Sequence, residues 1–115
     1  MTFDVEIVLR AQDHAITERI EQPGQPSEWT ETDVSAVLRQ ILLAIDRAKN
    51  PGSTERYVAL RGFSWIVEPA TAGVVIAIEI PSGAAVAGPF DIAQAALDRL
   101  ISRAIAAHSP KTVVH

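Results

Sequence analysis

The sequence predicts an α+β fold, a two-layer sandwich in which two helices cover one face of a four-stranded, mainly antiparallel sheet. Three patterns predict it: apolar residues alternate over 3–9, an amphipathic stripe runs over 34–45, and a turn joins two apolar runs within 63–80. A sheet face and a helix stripe must each be buried against another element, and packing the helices on one sheet face satisfies both. A length of 115 residues suits one domain with one core.

Two strands are predicted first. The alternation over 3–9 places apolar side chains on one face and mostly charged side chains on the other, which is typical of a half-buried strand. After a turn at 11–14, residues 15–21 predict a second strand. The segment 22–27 contains two prolines and a glycine, so it predicts a loop rather than a continued strand.

A helix follows this loop. Thr30 is the predicted N-cap, with Asp33 at the third helical position, an arrangement similar to a capping box. Trp29 then occupies the position of a hydrophobic staple. The segment 50–52 (Asn-Pro-Gly) ends the helix, because proline has no N–H to donate and glycine accepts a left-handed turn. The apolar stripe consists of Val34, Val37, Leu38, Ile41, Leu42 and Ile45.

The second half of the chain begins with a predicted β-hairpin. Residues 56–68 form a long extended stretch with a bulge at Gly62, and residues 74–80 form the return strand. The run from Val74 to Ile78 is apolar at every position, so both of its faces are expected to be covered.

A loop and a second helix are predicted to complete the fold. Residues 81–88 are mostly small and favour a connecting loop. Pro89 suits the first position of a helix, and an apolar stripe follows over about 90–107 before Ser109-Pro110 stops it.

The two halves resemble each other, which predicts an internal duplication. Residues 2–50 and 56–108 each contain two predicted strands and a helix, so a single domain over 1–108 is expected to be a ββαββα pseudo-repeat. The alternative is that any two amphipathic ββα units match in part. Residues 109–115 are expected to form a flexible C-terminal tail. The matching positions include Ile20 with Ile78, Glu21 with Glu79, Pro23 with Pro81 and Asp33 with Asp91.

Composition limits the possible partners. The net charge is −4 and the cations are scattered, which argues against nucleic acid, because affinity for phosphates comes largely from Lys and Arg. The absence of cysteine removes disulfides and thiolate chemistry. No apolar run approaches the ~20 residues of a membrane helix. The first residues lack a signal-peptide pattern, so we expect a cytoplasmic protein without a membrane partner.

No residue pattern predicts catalysis, a cofactor or a metal. His14, His108 and His115 lack the spacing of metal ligands. Ser64 lacks the glycine pattern of a nucleophile elbow, and the segment 81–88 lacks the glycine and lysine pattern of a phosphate loop. We therefore expect no cofactor and favour a protein that is not an enzyme.

Two residues have alternative interpretations. Glu18 falls between Ile16 and Ile20 on the face predicted to be buried. An unpaired carboxylate there would mark a binding site, whereas an inward charge on an edge strand would block unwanted strand pairing. Trp29 is either an aromatic residue that recognises a ligand or only the staple residue of the helix.

One candidate function is a small-molecule or anion binding domain, or a minor enzyme, with its site between loops 22–29 and 81–88. A helix that began after 81–88 would offer free N–H groups to an anion. The residues expected at this site are Glu18, Trp29, Ser82, Gly83 and Gly88, with His14 as a further contributor.

The preferred function depends on the uncovered face of the predicted sheet. The first hairpin is expected to present charged residues there, whereas the second presents an apolar patch of Ser64, Ile66, Val75 and Ala77. Monomers seldom expose such patches, and two-fold self-association is the most frequent way to cover them. We expect a non-enzymatic interaction module, a homodimer that binds another protein as an adaptor, chaperone or inhibitor, unless the chain's own loop or tail covers the patch.

Overall fold

The structure, a computed structural model, describes residues 1–108 as an α+β fold with a five-stranded antiparallel sheet and two helices. The fold class, the antiparallel sheet and the two helices agree with the prediction. A turn of 3₁₀ helix at Pro26–Glu28 precedes the first helix. In chain order, the elements are β1 (Thr2–Leu9), β2 (Ile16–Glu21), α1 (Glu31–Lys49), β3 (Ser64–Ala70), β4 (Gly73–Ile80), β5 (Gly83–Phe90) and α2 (Gln94–His108).

The strands lie in the order β2-β1-β5-β4-β3, and every neighbouring pair is antiparallel. Helix α1 contacts β1, β2 and β5, helix α2 contacts β3, and the two helices contact each other. Both helices therefore cover the same face of the sheet. Along β1 the buried residues alternate with exposed ones, as the sequence predicts for a strand covered on one side.

The core lies between the helices and the covered face of the sheet. Phe90 is among its largest fully buried side chains. Its ring packs edge-on against Phe3, with ring centroids 5.0 Å apart, and against Trp29, with centroids 5.3 Å apart. This aromatic cluster joins β1, β5 and the segment before α1, and such edge-to-face contacts add to the stabilisation from burial.

The N-terminus of α1 has the predicted capping box. The Thr30 hydroxyl accepts a hydrogen bond from the Asp33 backbone N–H, and the Asp33 carboxylate accepts one from the Thr30 backbone N–H. Two of the helix's unpaired N–H donors are satisfied in this way. All six residues of the predicted apolar stripe are buried.

The prediction of a loop over 81–88 is wrong, because residues 83–90 form β5 at the centre of the sheet. Pro89 lies within this strand, and α2 begins at Gln94 rather than near Phe90. Small residues have weak strand propensity, but β5 pairs with β1 on one side and β4 on the other. Hydrogen bonding on both sides therefore overrides the local preference.

The fifth strand also changes the predicted repeat. The element order is ββαβββα rather than ββαββα, so residues 56–108 contain one strand more than residues 2–50. A register shift between Val74 and Ile76, opposite β5, lets Ala87 and Phe90 both face the core. The helix start predicted at Pro89 in the second half therefore falls within a strand.

The stretch before β3 also differs from the prediction. Residues 56–63 are not in a strand, and β3 begins at Ser64. Leu60 is buried and anchors this connection to the core. Arg56 also fixes it, because its guanidinium donates to the Asp46 carboxylate of α1 at 2.8 Å. The predicted tail, 109–115, lies outside the described residues.

Candidate interaction surface

Among residues 1–108, no element covers the face of the sheet opposite the helices, and strand pairing arranges the side chains of this face in rows. In the central row, Glu6 of β1 pairs with Val86 of β5, Val86 pairs with Ala77 of β4, and Ala77 pairs with Ile66 of β3. Side chains of paired residues lie on the same side of a sheet. An apolar row therefore runs across three strands and meets a carboxylate at β1.

We call the apolar part of this face the apolar stripe: Val8, Ile66, Val75, Ala77, Ala84 and Val86. Three of its side chains are large and remain exposed, namely Ile66 at 53 %, Val8 at 47 % and Val86 at 43 %. A shallow cavity of about 380 Å³ lies within the stripe. Its lining includes Ile66, Ala77, Ala84 and Val86, so large side chains stand on either side of small ones.

Acidic residues surround the stripe, and we call Glu6, Glu68 and Glu79 the acidic border. Glu68 pairs across the strands with Val75, and Glu79 pairs with Ala84. Within residues 1–108 none of the three carboxylates forms a salt bridge or a side-chain hydrogen bond. Asp4, farther along β1, forms a salt bridge with Arg19 of β2, in which Arg19 Nε lies 3.1 Å from Asp4 Oδ1. The border therefore carries negative charge that no ion pair within residues 1–108 neutralises.

The structure brings together three of the four residues expected at an interface. Ser64, Ile66 and Ala77 line the same shallow cavity. Val75 lies farther along β4, where it is half-buried, pairs with Glu68 and lies beside Gly88 of β5.

Sequence reasoning missed the contribution of β5 to the surface. Ala84 and Val86 face outward from this strand, although the sequence of this segment predicts a loop. Residues 83–87 are alternately buried and exposed in the structure, but their sequence, Gly-Ala-Ala-Val-Ala, has no alternation of apolar and polar residues that would predict a strand. Val8 was readable as an outward residue of β1, but nothing in the sequence placed it beside Ala84.

The residues of the alternative ligand site lie in separate places. Ser82 and Gly83 lie at the start of β5, whereas Gly88 lies near its end, and Trp29 contacts Phe90 at that end. The two ends of this strand are about 20 Å apart at 3.3 Å per residue. These residues therefore do not form one site.

Glu18 and Trp29 each have a partner within the protein. The Glu18 carboxylate accepts a hydrogen bond from Arg47 of α1 and lies on β2, an edge strand of the sheet. Trp29 is buried, and its indole N–H donates to the Pro23 carbonyl at 3.4 Å. His14 is exposed in the turn between β1 and β2.

Both edges of the sheet carry features that hinder the addition of another strand. On β2, the inward carboxylate of Glu18 is held by Arg47. On β3, Pro69 has no N–H to donate, and the Gln94 side chain of α2 donates to the Val67 carbonyl at 2.8 Å. Charged inward residues, prolines and covering side chains are common ways to protect edge strands. Within the described part of the chain, no comparable feature covers the open face.

Within residues 1–108, no group of three or more acidic or histidine side chains is placed to hold a metal ion, and no helix is long and apolar enough to cross a membrane. The chain matches no protein-family model, and no curated protein or solved structure is detectably similar to it.

Proposed function

We propose that the protein is a non-enzymatic interaction module whose apolar stripe binds a segment of another protein that carries apolar side chains flanked by Lys or Arg. The observation that supports this proposal is an exposed apolar row inside an acidic border with no compensating partner among the described residues. Burial of the stripe would supply affinity, and the border would select partners by the sign of their charge.

The shape of the stripe favours an amphipathic helix as the bound segment. Ile66 and Val86 are two strands apart, with Ala77 between them, so they stand about 10 Å apart at the usual strand spacing. A helix is about 10 Å wide, and one row of its apolar side chains can rest on the alanine floor between these walls. Lys or Arg beside that row would face the acidic border.

A second copy of this chain fits the same surface less well. Isologous packing would place the same surface of both copies face to face, so the carboxylates of Glu6, Glu68 and Glu79 in one copy would lie near the acidic border of the other. Arg10 lines a neighbouring cavity together with Glu79, but the two form no ion pair. Like charges across an interface oppose association.

Selection from a random peptide display library tests the proposal. The wild-type protein is one target, and the Ile66→Asp/Val86→Asp double variant is the second. Peptides enriched on the wild type are expected to combine apolar residues with Lys or Arg, and to bind the double variant at least about tenfold more weakly. Peptides that bind both targets equally, or show no basic preference, would refute it.

Charge reversal separates the role of the border from that of the stripe. Glu68→Lys/Glu79→Lys should weaken binding of a selected basic peptide, with a larger effect at low salt than at high salt. Asp13→Lys/Glu55→Lys makes the same change in net charge at exposed positions that do not line the cavity of the open face and should leave affinity unchanged. Equal losses in the two variants would show that only net charge matters.

Sedimentation velocity tests whether the stripe binds a second copy of this chain or a segment of another protein. The wild-type protein is expected to be a monomer at micromolar concentration. A wild-type dimer that the Ile66→Asp/Val86→Asp substitutions convert to a monomer would instead identify a second copy as the occupant, in place of a different protein.

A further inference from the structure

A second cavity lies on the helix side of the molecule, away from the apolar stripe. Its volume is about 410 Å³, and it lies between α2 and the segment that leads into α1. We call it the α2 groove, and it is lined principally by Trp29, Ile92, Ala96, Arg99, Leu100 and Arg103. None of these residues lines the cavity of the open face.

The α2 groove carries two cations that form no ion pair with residues 1–108. Arg99 and Arg103 are one helical turn apart, which places their Cβ atoms about 6 Å from each other on one side of α2. Both side chains are exposed, and neither forms a hydrogen bond or an ion pair with the described residues. Two guanidinium groups at this spacing can approach a single carboxylate or phosphate together.

Nearby acidic residues do not compensate these cations. Glu28, Asp91 and Asp98 are the acids closest to the groove in sequence, yet none of them lines it. Elsewhere, Arg19, Arg47 and Arg56 are paired with carboxylates. The groove is therefore a local concentration of positive charge on a chain whose net charge is −4.

The walls of the groove are apolar. Ile92, Ala96 and Leu100 are half-buried, and Ile92 and Leu100 pack against the core. Trp29 closes one side and is itself held by the ring of Phe90. Small-molecule sites usually combine mostly apolar walls with a few polar groups in volumes of about 300–1,000 Å³.

We propose that the α2 groove binds a small amphipathic anion, with its carboxylate or phosphate between Arg99 and Arg103 and its apolar body against Ile92, Ala96 and Leu100. The small side chain of Ala96 leaves the space that the apolar body would fill. This proposal does not rest on the function proposed for the apolar stripe.

NMR titration of the uniformly ¹⁵N-labelled protein tests the proposal. Hexanoate and hexyl phosphate are the probes, hexylamine supplies the same apolar body with the opposite charge, and inorganic phosphate supplies the anion alone. We expect saturable shifts of the Trp29 indole N–H and of backbone amides in 92–103 with either probe, and which one binds more tightly identifies the headgroup. Equal binding of hexylamine or of inorganic phosphate would overturn the proposal.

Substitutions test separately whether hexanoate binding needs the two arginines and the space beside Ala96. Arg99→Gln/Arg103→Gln should weaken hexanoate binding at least about tenfold, whereas Arg99→Lys/Arg103→Lys should retain part of the affinity because the charge remains. Ala96→Phe should abolish binding by filling the groove. Arg61→Gln removes an exposed arginine outside the groove and is the matched control. Unchanged hexanoate affinity in the double Gln variant, with native amide spectra, would overturn the proposal.

Discussion

At the scale of single residues, close backbone approach makes Gly73 a position that no other residue can fill without rearrangement. Gly73 opens β4 with a φ of +132°. A Cβ built on it would lie 2.0 Å from the backbone carbonyl oxygen of Phe90. Phe90 belongs to the aromatic cluster of the core, so the neighbouring strand cannot withdraw freely.

The Gly73→Ala substitution is therefore expected to lower the free energy of unfolding by about 2–4 kcal/mol, from backbone strain and steric overlap together. Urea denaturation followed by circular dichroism measures the change. Gly52→Ala is the control, because a Cβ there would meet nothing within 4 Å and its φ lies outside the left-handed region. Equal stability of the two variants would contradict the close approach of β4 and β5 at this point.

A second prediction at this scale concerns Asp46. The hydrogen bond from Arg56, at 2.8 Å, holds the pKa of Asp46 below its ordinary value, while burial acts in the opposite direction and Asn50 adds a further lowering contribution. Folded Asp46 therefore binds protons less readily than unfolded Asp46. Its contribution to stability is complete above the unfolded pKa of about 3.9 and is lost as the pH falls through the folded pKa.

The Asp46→Asn substitution is expected to cost about 0.5–1 kcal/mol at pH 7, the range of a well-placed ion pair near the surface. The difference from wild type should shrink as the pH falls below about 4. Denaturation midpoints between pH 3 and pH 7 measure it, with Asp13→Asn as a control at an exposed turn position. A difference that does not depend on pH would exclude the ionised pair as its cause.

At the scale of elements, the capped helix and the central strand show where local signals suffice. For α1, the cap, the acidic first turn and the helical spacing of its buried apolar residues all indicate a helix, and α1 forms as expected. For β5, Gly83, Gly88 and Pro89 indicate a loop and a helix start, yet the segment lies between β1 and β4. Partners distant in sequence decide its conformation, and no local pattern reports them.

Hydrogen exchange tests the central position of β5. Amides of 84–87 that bond to β1 or β4 should exchange among the slowest in the protein, because the strand is paired on both sides and lies over the core. Amides of 54–59 should exchange much faster than those of 84–87, since this connection has no strand pairing. Fast exchange across 84–87 would support the loop that the sequence predicts, in place of the central strand.

At the scale of the whole molecule, the two faces and the two edges of the sheet differ in how they are protected. The helices cover one face. Another strand is hindered from pairing with β2 by the Glu18–Arg47 pair, and with β3 by Pro69 and the Gln94 side chain. The open face combines an exposed apolar stripe with an acidic border. The α2 groove, with the opposite charge, lies in the helix layer.

The sequence by itself determined the fold class, the alternation of β1, the capped helix α1 and the outward position of Ser64, Ile66 and Ala77. Each of these follows from the spacing of apolar residues or from a capping pattern within a short segment. Such patterns favour a helix or a strand through interactions between residues close in sequence. Only the tertiary structure decided the fifth strand, the joining of Val86 to Ile66 across Ala77, and the meeting of Trp29 with Arg99 and Arg103 around one groove. These features depend on strand pairing and packing between segments far apart in sequence. The small residues of β5, for example, have little preference of their own for a strand.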